Sequence, residues 1–263
     1  MVQKIDDKEV FLLLGKTFWG SLTLMFTISF LLIAVGCNET EVTEIEESEY
    51  FFYEIAGGEN DMYILGTVHI GHPDMYPLDD SIYEAFDESD VLAMEIDPMN
   101  TPMDSIQDEY GTYQDETKVT DVISEELFYE SFELIKQHNT SISEEELKNY
   151  KPWRINSLLE RAATQESKYS YDHGVEPYFI GKAFEEDMEL VELEDYEEDL
   201  VKNYELLSEE SQEKMLENTL DGFEDYEEGS TELITDWEEG NVSAEAKKRE
   251  ERINEAETDS MAE

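Results

Sequence analysis

Met62-Tyr63-Ile64-Leu65-Gly66-Thr67-Val68-His69 and Val91-Leu92-Ala93-Met94-Glu95-Ile96-Asp97 decide how this chain folds. Each holds a short apolar run that leads to a residue able to bind a metal or move a proton, His69 in the first and Glu95 in the second. Between them Asp79-Asp80-Ser81 supplies helix caps, and Ser81 and Glu84 stand three apart as in a capping box. Ile82, Ala85 and Phe86 follow as an apolar stripe at helical spacing. A strand, a crossover helix and a strand predict two neighbouring parallel strands, with His69 and Glu95 side by side at their carboxyl ends. That edge is where open α/β sheets place their sites.

Upstream, Tyr50-Phe51-Phe52-Tyr53-Glu54-Ile55 is rich in strand formers, and Gly57-Gly58-Glu59-Asn60 offers turn residues able to take positive φ. These predict a hairpin with Met62–His69. Downstream of Thr101 the pattern is helical. Helices are expected over Asp121–Gln137, from the capping box Ser143-Glu144-Glu145-Glu146, over Trp153–Thr164 after Pro152, and within Gly174–Glu186. Glu189–Leu193 reads as a strand, Ser208 caps a helix to about Phe223, and Asp225–Glu239 and Ser243–Glu257 read as two more helices. The fold class is α/β (α+β): a mixed sheet built on a strand-strand-helix-strand module, with a large helical insertion at about 101–174.

The 263 residues carry 69 acids and 17 bases, a formal charge of −52, which repels nucleic acid. Apolar residues at 40% and aromatics at 11% are enough for a core, so the acidity marks a solvated coat rather than a disordered chain. The one cysteine, Cys37, excludes an intramolecular disulfide. Lys4, Lys8 and Lys16 precede the almost wholly apolar Phe18–Val35, and Ala34-Val35-Gly36-Cys37 then meets the polar run from Asn38. A charged start, an apolar core and small residues before a break describe a secretory leader over 1–36. Ending on Gly-Cys, it resembles a bacterial lipoprotein signal, which places lipid on Cys37 and the mature chain on the extracytoplasmic face of the cell membrane. An uncleaved anchor through Phe18–Val35 is the alternative. Residues 37–49 then read as an acidic tether, and the domain as 50–263.

Gly66 at a strand end permits close approach of another backbone or a ligand. A histidine in a Gly-x-x-His is also common as a structural residue. Glu95 sits among Val91, Leu92, Ala93, Met94 and Ile96, where a buried carboxylate needs a cation or hydrogen-bond donors. A solvated strand end would equally account for it. His72 reads as a surface loop residue, and Glu194 is a further carboxylate at the end of an expected strand. No Gly-x-Ser-x-Gly elbow, His-Glu-x-x-His helix, phosphate loop or dinucleotide fingerprint is present.

Tyr63–His69, Met75-Tyr76-Pro77-Leu78, Ala85–Val91 and Met94-Glu95-Ile96-Asp97 together resemble the opening of the TraB/PrgY/GumN family, which includes the Tiki proteases. Gly174-Val175-Glu176-Pro177-Tyr178-Phe179 with Lys182-Ala183, Val191-Glu192-Leu193-Glu194 and Leu207–Gln212 extend the resemblance. It implies a metal-dependent peptidase with a divalent metal, in which His69 and Glu95 are ligands or activate a metal-bound water, and Glu194 is a further ligand candidate. It also implies a second Gly-x-x-His on a strand near the C-terminus. Gly66–His69 is the only such motif here, so the expectation is a domain incomplete at its C-terminus and lacking part of its ligand set. The alternatives are a surface lipoprotein that sequesters a peptide, such as a pheromone, without cleaving it, and a truncated product that does not fold fully. Partners are therefore a peptide or protein and, through Cys37, the membrane.

Overall fold

The computed structural model describes residues 10–16, 42–44, 50–55, 61–98 and 100–241. The apolar core of the leader, Cys37, the turn at Gly57–Asn60 and the helix expected at Ser243–Glu257 lie outside these residues. Strands are β1 (Val10–Lys16), β2 (Val42–Glu44), β3 (Phe52–Ile55), β4 (Met62–Val68), β5 (Val91–Met94) and β6 (Glu189–Glu192). Helices are α1 (Asp80–Glu88), α2 (Met103–Tyr110), α3 (Glu125–His138), α4 (Glu144–Leu147), α5 (Pro152–Glu166), α6 (Val175–Glu185), α7 (Tyr196–Leu200), α8 (Glu209–Asp221) and α9 (Tyr226–Glu238). The chain divides into two compact units, one of residues 1–95, 174–191 and 233–263, the other of 96–173 and 192–232.

The first unit holds a six-stranded mixed sheet in the order β2-β3-β4-β1-β5-β6. The expected hairpin forms: β3 runs antiparallel to β4, with Phe52 opposite Leu65 and Ile55 opposite Met62. The expectation that β4 and β5 are neighbours is corrected. β1 lies between them and pairs in parallel with both, so Val10 meets Met62 on one side and Val91 on the other. With strands about 4.8 Å apart, β4 and β5 are separated by about 9.6 Å. Adjacency could not be read from strand, helix, strand alone, because a right-handed crossover is equally satisfied when it skips a position. β1 falls inside the segment assigned to the leader, and β2 inside the expected tether, where β-branched Val42 and Thr43 suit an edge strand. Among the described residues no strand lies beyond Glu192.

α1 is capped by Asp79, whose side chain accepts from the Ser81 amide at 2.9 Å, so the cap stands two residues earlier than the Ser81–Glu84 spacing suggested. Its stripe Ile82, Ala85 and Phe86 is buried as expected, and Phe86 meets Phe179 of α6 at 5.1 Å between ring centroids. Phe52, Leu65, Leu92, Met94 and Phe179 are buried with them, each side chain contributing about 1.5–3 kcal/mol.

The second unit is helical. Ser124, Ser143 and Ser208 cap α3, α4 and α8, each accepting an amide hydrogen in the first turn. The helix expected from Asp121 therefore starts at Glu125, after a short 3-10 turn at Val119–Asp121. Phe128, Ile135, Leu147, Ile155, Leu159 and Leu216 form its core.

Candidate functional site

The site is built where β4 ends and α6 begins. β4 carries Thr67 and runs directly into His69, while Glu176 stands in the first turn of α6. Thr67 is fully buried, and its hydroxyl donates a hydrogen bond to Glu176 Oε1. His69 Nδ1 lies 3.0 Å from the same oxygen, with 36% of the histidine side chain and 14% of the glutamate side chain exposed. Glu176 Oε2 is buried and has no hydrogen-bond partner among the described residues.

Three features hold α6 in this position. Gly174, which precedes α6, packs against the backbone of Val68 and His69 so closely that a Cβ there would stand 2.3 Å from the His69 carbonyl oxygen. The Tyr76 hydroxyl donates to the Gly174 carbonyl at 3.0 Å, and its ring stacks on Tyr178 at 4.1 Å. Tyr83 and Tyr178 join hydroxyls at 3.0 Å. The strand is fixed from its other side. Gly66 donates its amide to the Phe51 carbonyl at 2.8 Å, and its own carbonyl accepts from Trp237 Nε1 at 2.6 Å. A Cβ on Gly66 would stand 2.9 Å from Phe51 Cβ. The glycine of the motif thus serves close packing within the fold.

The electrostatics follow from this geometry. Burial pushes the Glu176 carboxyl up, but the hydrogen bond and charge of His69, joined by Thr67, outweigh it and hold the group below its ordinary value. Burial pushes the His69 imidazole down. The Glu176 hydrogen bond and charge, with the charge of Glu95, reverse that and leave it above 6.5. Glu95 is partly buried at the bend after β5, and its field reaches His69.

The structure therefore brings His69 and Glu95 into electrostatic range and adds Thr67 and Glu176. Glu194 belongs to the second unit, where burial and then the charge and hydrogen bond of Asp199 raise its carboxyl, and Lys202 opposes them. His72 is a capping residue, its Nδ1 accepting from the Asp74 amide at 3.2 Å. Cys37 is outside the described residues. The sequence marks Glu176 by Gly174 two positions before it and Pro177 directly after it, at a helix start. Its partner Thr67 stands 109 positions earlier, and nothing local connects the two.

Imidazole and carboxylate are donors that a divalent metal accepts. A catalytic centre takes three protein ligands, and among the described residues no group of three or more His, Cys, Asp or Glu side chains could hold a metal ion. The described residues thus do not make up a metal centre by themselves. What they do form is a carboxylate-oriented imidazole whose second nitrogen, Nε2, has no hydrogen-bond partner among the described residues. Such a group can accept and return a proton.

A sequence profile of the TraB/PrgY/gumN family matches residues 51–263. No curated protein gives a significant match, and no solved structure does.

Proposed function

The chain belongs to the TraB/PrgY/gumN family, and on that premise we propose that the His69 edge is a hydrolytic site for peptide bonds. The domain is tethered by lipid on Cys37 at the extracytoplasmic face of the cell membrane. The observation that carries this is the contact of His69 Nδ1 with Glu176 at 3.0 Å beside the field of Glu95. His69 Nε2 takes the proton of a water attacking the peptide carbonyl and returns it to the leaving amine, while Glu176 and Glu95 stabilise the imidazolium formed between the two transfers. A net charge of −52 favours peptides rich in Lys and Arg. The divalent metal that the family resemblance implies would draw on His69 and Glu95. Two donors fall short of a centre, and no proton transfer in this scheme passes through it.

The test is cleavage of a basic peptide library by the purified full chain, followed by mass spectrometry, with and without added divalent metal. We expect His69→Ala to lower cleavage by about 10²–10⁴-fold, the range of general acid–base catalysis. Cleavage untouched by His69→Ala would overturn the proposal.

The same donor count favours a second proposal, capture of a peptide without cleavage. It requires saturable calorimetric binding that survives a chelator, with the peptide recovered intact. Metal-dependent turnover would exclude it.

A further inference from the structure

The Glu176 carboxylate stands against one nitrogen of His69 only, and that asymmetry has a chemical consequence. A neutral imidazole carries one N–H and one lone pair, and the partner of one nitrogen decides which is which. Glu176 Oε1 already accepts the Thr67 hydroxyl, so it presents acceptor density to Nδ1, 3.0 Å away. An ionised carboxylate has no hydrogen to give, and a lone pair on Nδ1 facing it would be repelled. The proton therefore belongs on Nδ1 and the lone pair on Nε2.

We propose that Glu176 is a positioning residue that holds His69 in the Nδ1–H tautomer, leaving Nε2 as the acting nitrogen, while Thr67 holds the carboxylate in place. The proposal deepens the hydrolytic reading above and rests on it for the use to which Nε2 is put. The lock itself stands on contacts alone. Thr67 is buried and anchored in β4, so its hydroxyl is a fixed donor rather than a mobile one. Gly174 lets the first turn of α6 come against the His69 backbone, which limits how far the carboxylate can retreat. A histidine that donates one N–H to a carboxylate while its other nitrogen works is the arrangement by which proteins set ring orientation and basicity.

The experiment is long-range ¹H–¹⁵N correlation on the full chain carrying ¹⁵N-histidine, in alkaline buffer where the ring is neutral, with His69→Gln used to assign the signals. In the unmodified protein we expect Nδ1 to be the protonated nitrogen of His69 and Nε2 the unprotonated one. In Glu176→Ala, checked for folding by its amide spectrum, we expect the populations to shift toward Nε2–H, the tautomer that free imidazole side chains prefer. Thr67→Val keeps the Glu176 carboxylate but removes the hydroxyl that anchors it, so the Nδ1–H population should fall, by less than in Glu176→Ala; an unchanged population in folded Thr67→Val overturns the anchoring role. An Nε2–H ring in the unmodified protein overturns the proposal whether or not any variant folds. So does an unchanged tautomer in folded Glu176→Ala. Failure of the hydrolytic reading shows separately, as an Nδ1–H ring in a protein that cleaves no peptide.

Discussion

A Cβ placed on Gly174 would stand 2.3 Å from the carbonyl oxygen of His69, so the start of α6 and the end of β4 are in backbone contact. The obstacle is main chain and cannot rotate away. We expect Gly174→Ala to push α6 outward, destabilising the fold by about 1–3 kcal/mol, the usual cost of overpacking, and to separate Glu176 from His69. Urea denaturation measures the first effect and the His69 tautomer the second. An unchanged midpoint would show that the contact is looser than described.

The His69–Glu176 pair makes stability depend on pH in both directions. The imidazole is raised in the folded chain, so its contribution is complete below its ordinary 6.5 and is lost as pH rises through the folded value. The carboxyl is lowered, so its contribution is complete above its ordinary 4.5 and is lost as pH falls through the folded value. Both describe one interaction, fully present between 4.5 and 6.5. We expect the difference in melting temperature between the unmodified protein and Glu176→Gln to be largest in that window and smaller on either side. A difference that does not vary with pH would contradict the pairing.

Glu95 acts on His69 through charge. Removing that charge in Glu95→Gln should lower the His69 titration, since the negative field favours the imidazolium. An NMR titration of the ring reports this directly, and no movement would place Glu95 outside the site.

Trp237 is 1% exposed and gives its indole N–H to the Gly66 carbonyl at 2.6 Å. Trp237→Phe keeps most of the ring and leaves that carbonyl without its indole donor. We expect a loss of about 1–3 kcal/mol, the cost of stranding a buried polar group, read from chemical denaturation. A loss near zero would mean that solvent reaches the carbonyl.

β1 sits between β4 and β5, yet Val10–Lys16 lies within the segment read as a leader. Cleavage before Cys37 removes that strand, so the mature chain and the strand cannot coexist in one polypeptide. If the lipoprotein reading holds, intact mass of the membrane-bound protein begins at a lipidated Cys37. Amides of β4 and β5 should then exchange faster in that form than in the full chain. An N-terminus at Met1, with β4 and β5 protected, would instead keep β1 in the sheet.

Local chemistry made much of this legible in the residues alone. The β3–β4 hairpin follows from two strand-forming runs around glycines, and α1 from its buried stripe Ile82, Ala85 and Phe86. Serine caps at Ser143 and Ser208 placed two helix starts because capping is decided within one turn. His69 and Glu95 could be singled out because a polar residue at the end of an apolar run is visible in one dimension. Tertiary structure alone decided the rest. The order of strands depends on which backbone edges meet, and β1 between β4 and β5 is a long-range pairing with no local mark. Glu176 became part of the site because Gly174 allows two backbones to touch, across more than a hundred residues of intervening chain. Hydrogen bonds and charge act over a few ångströms, and only the folded chain brings such distant residues within that range.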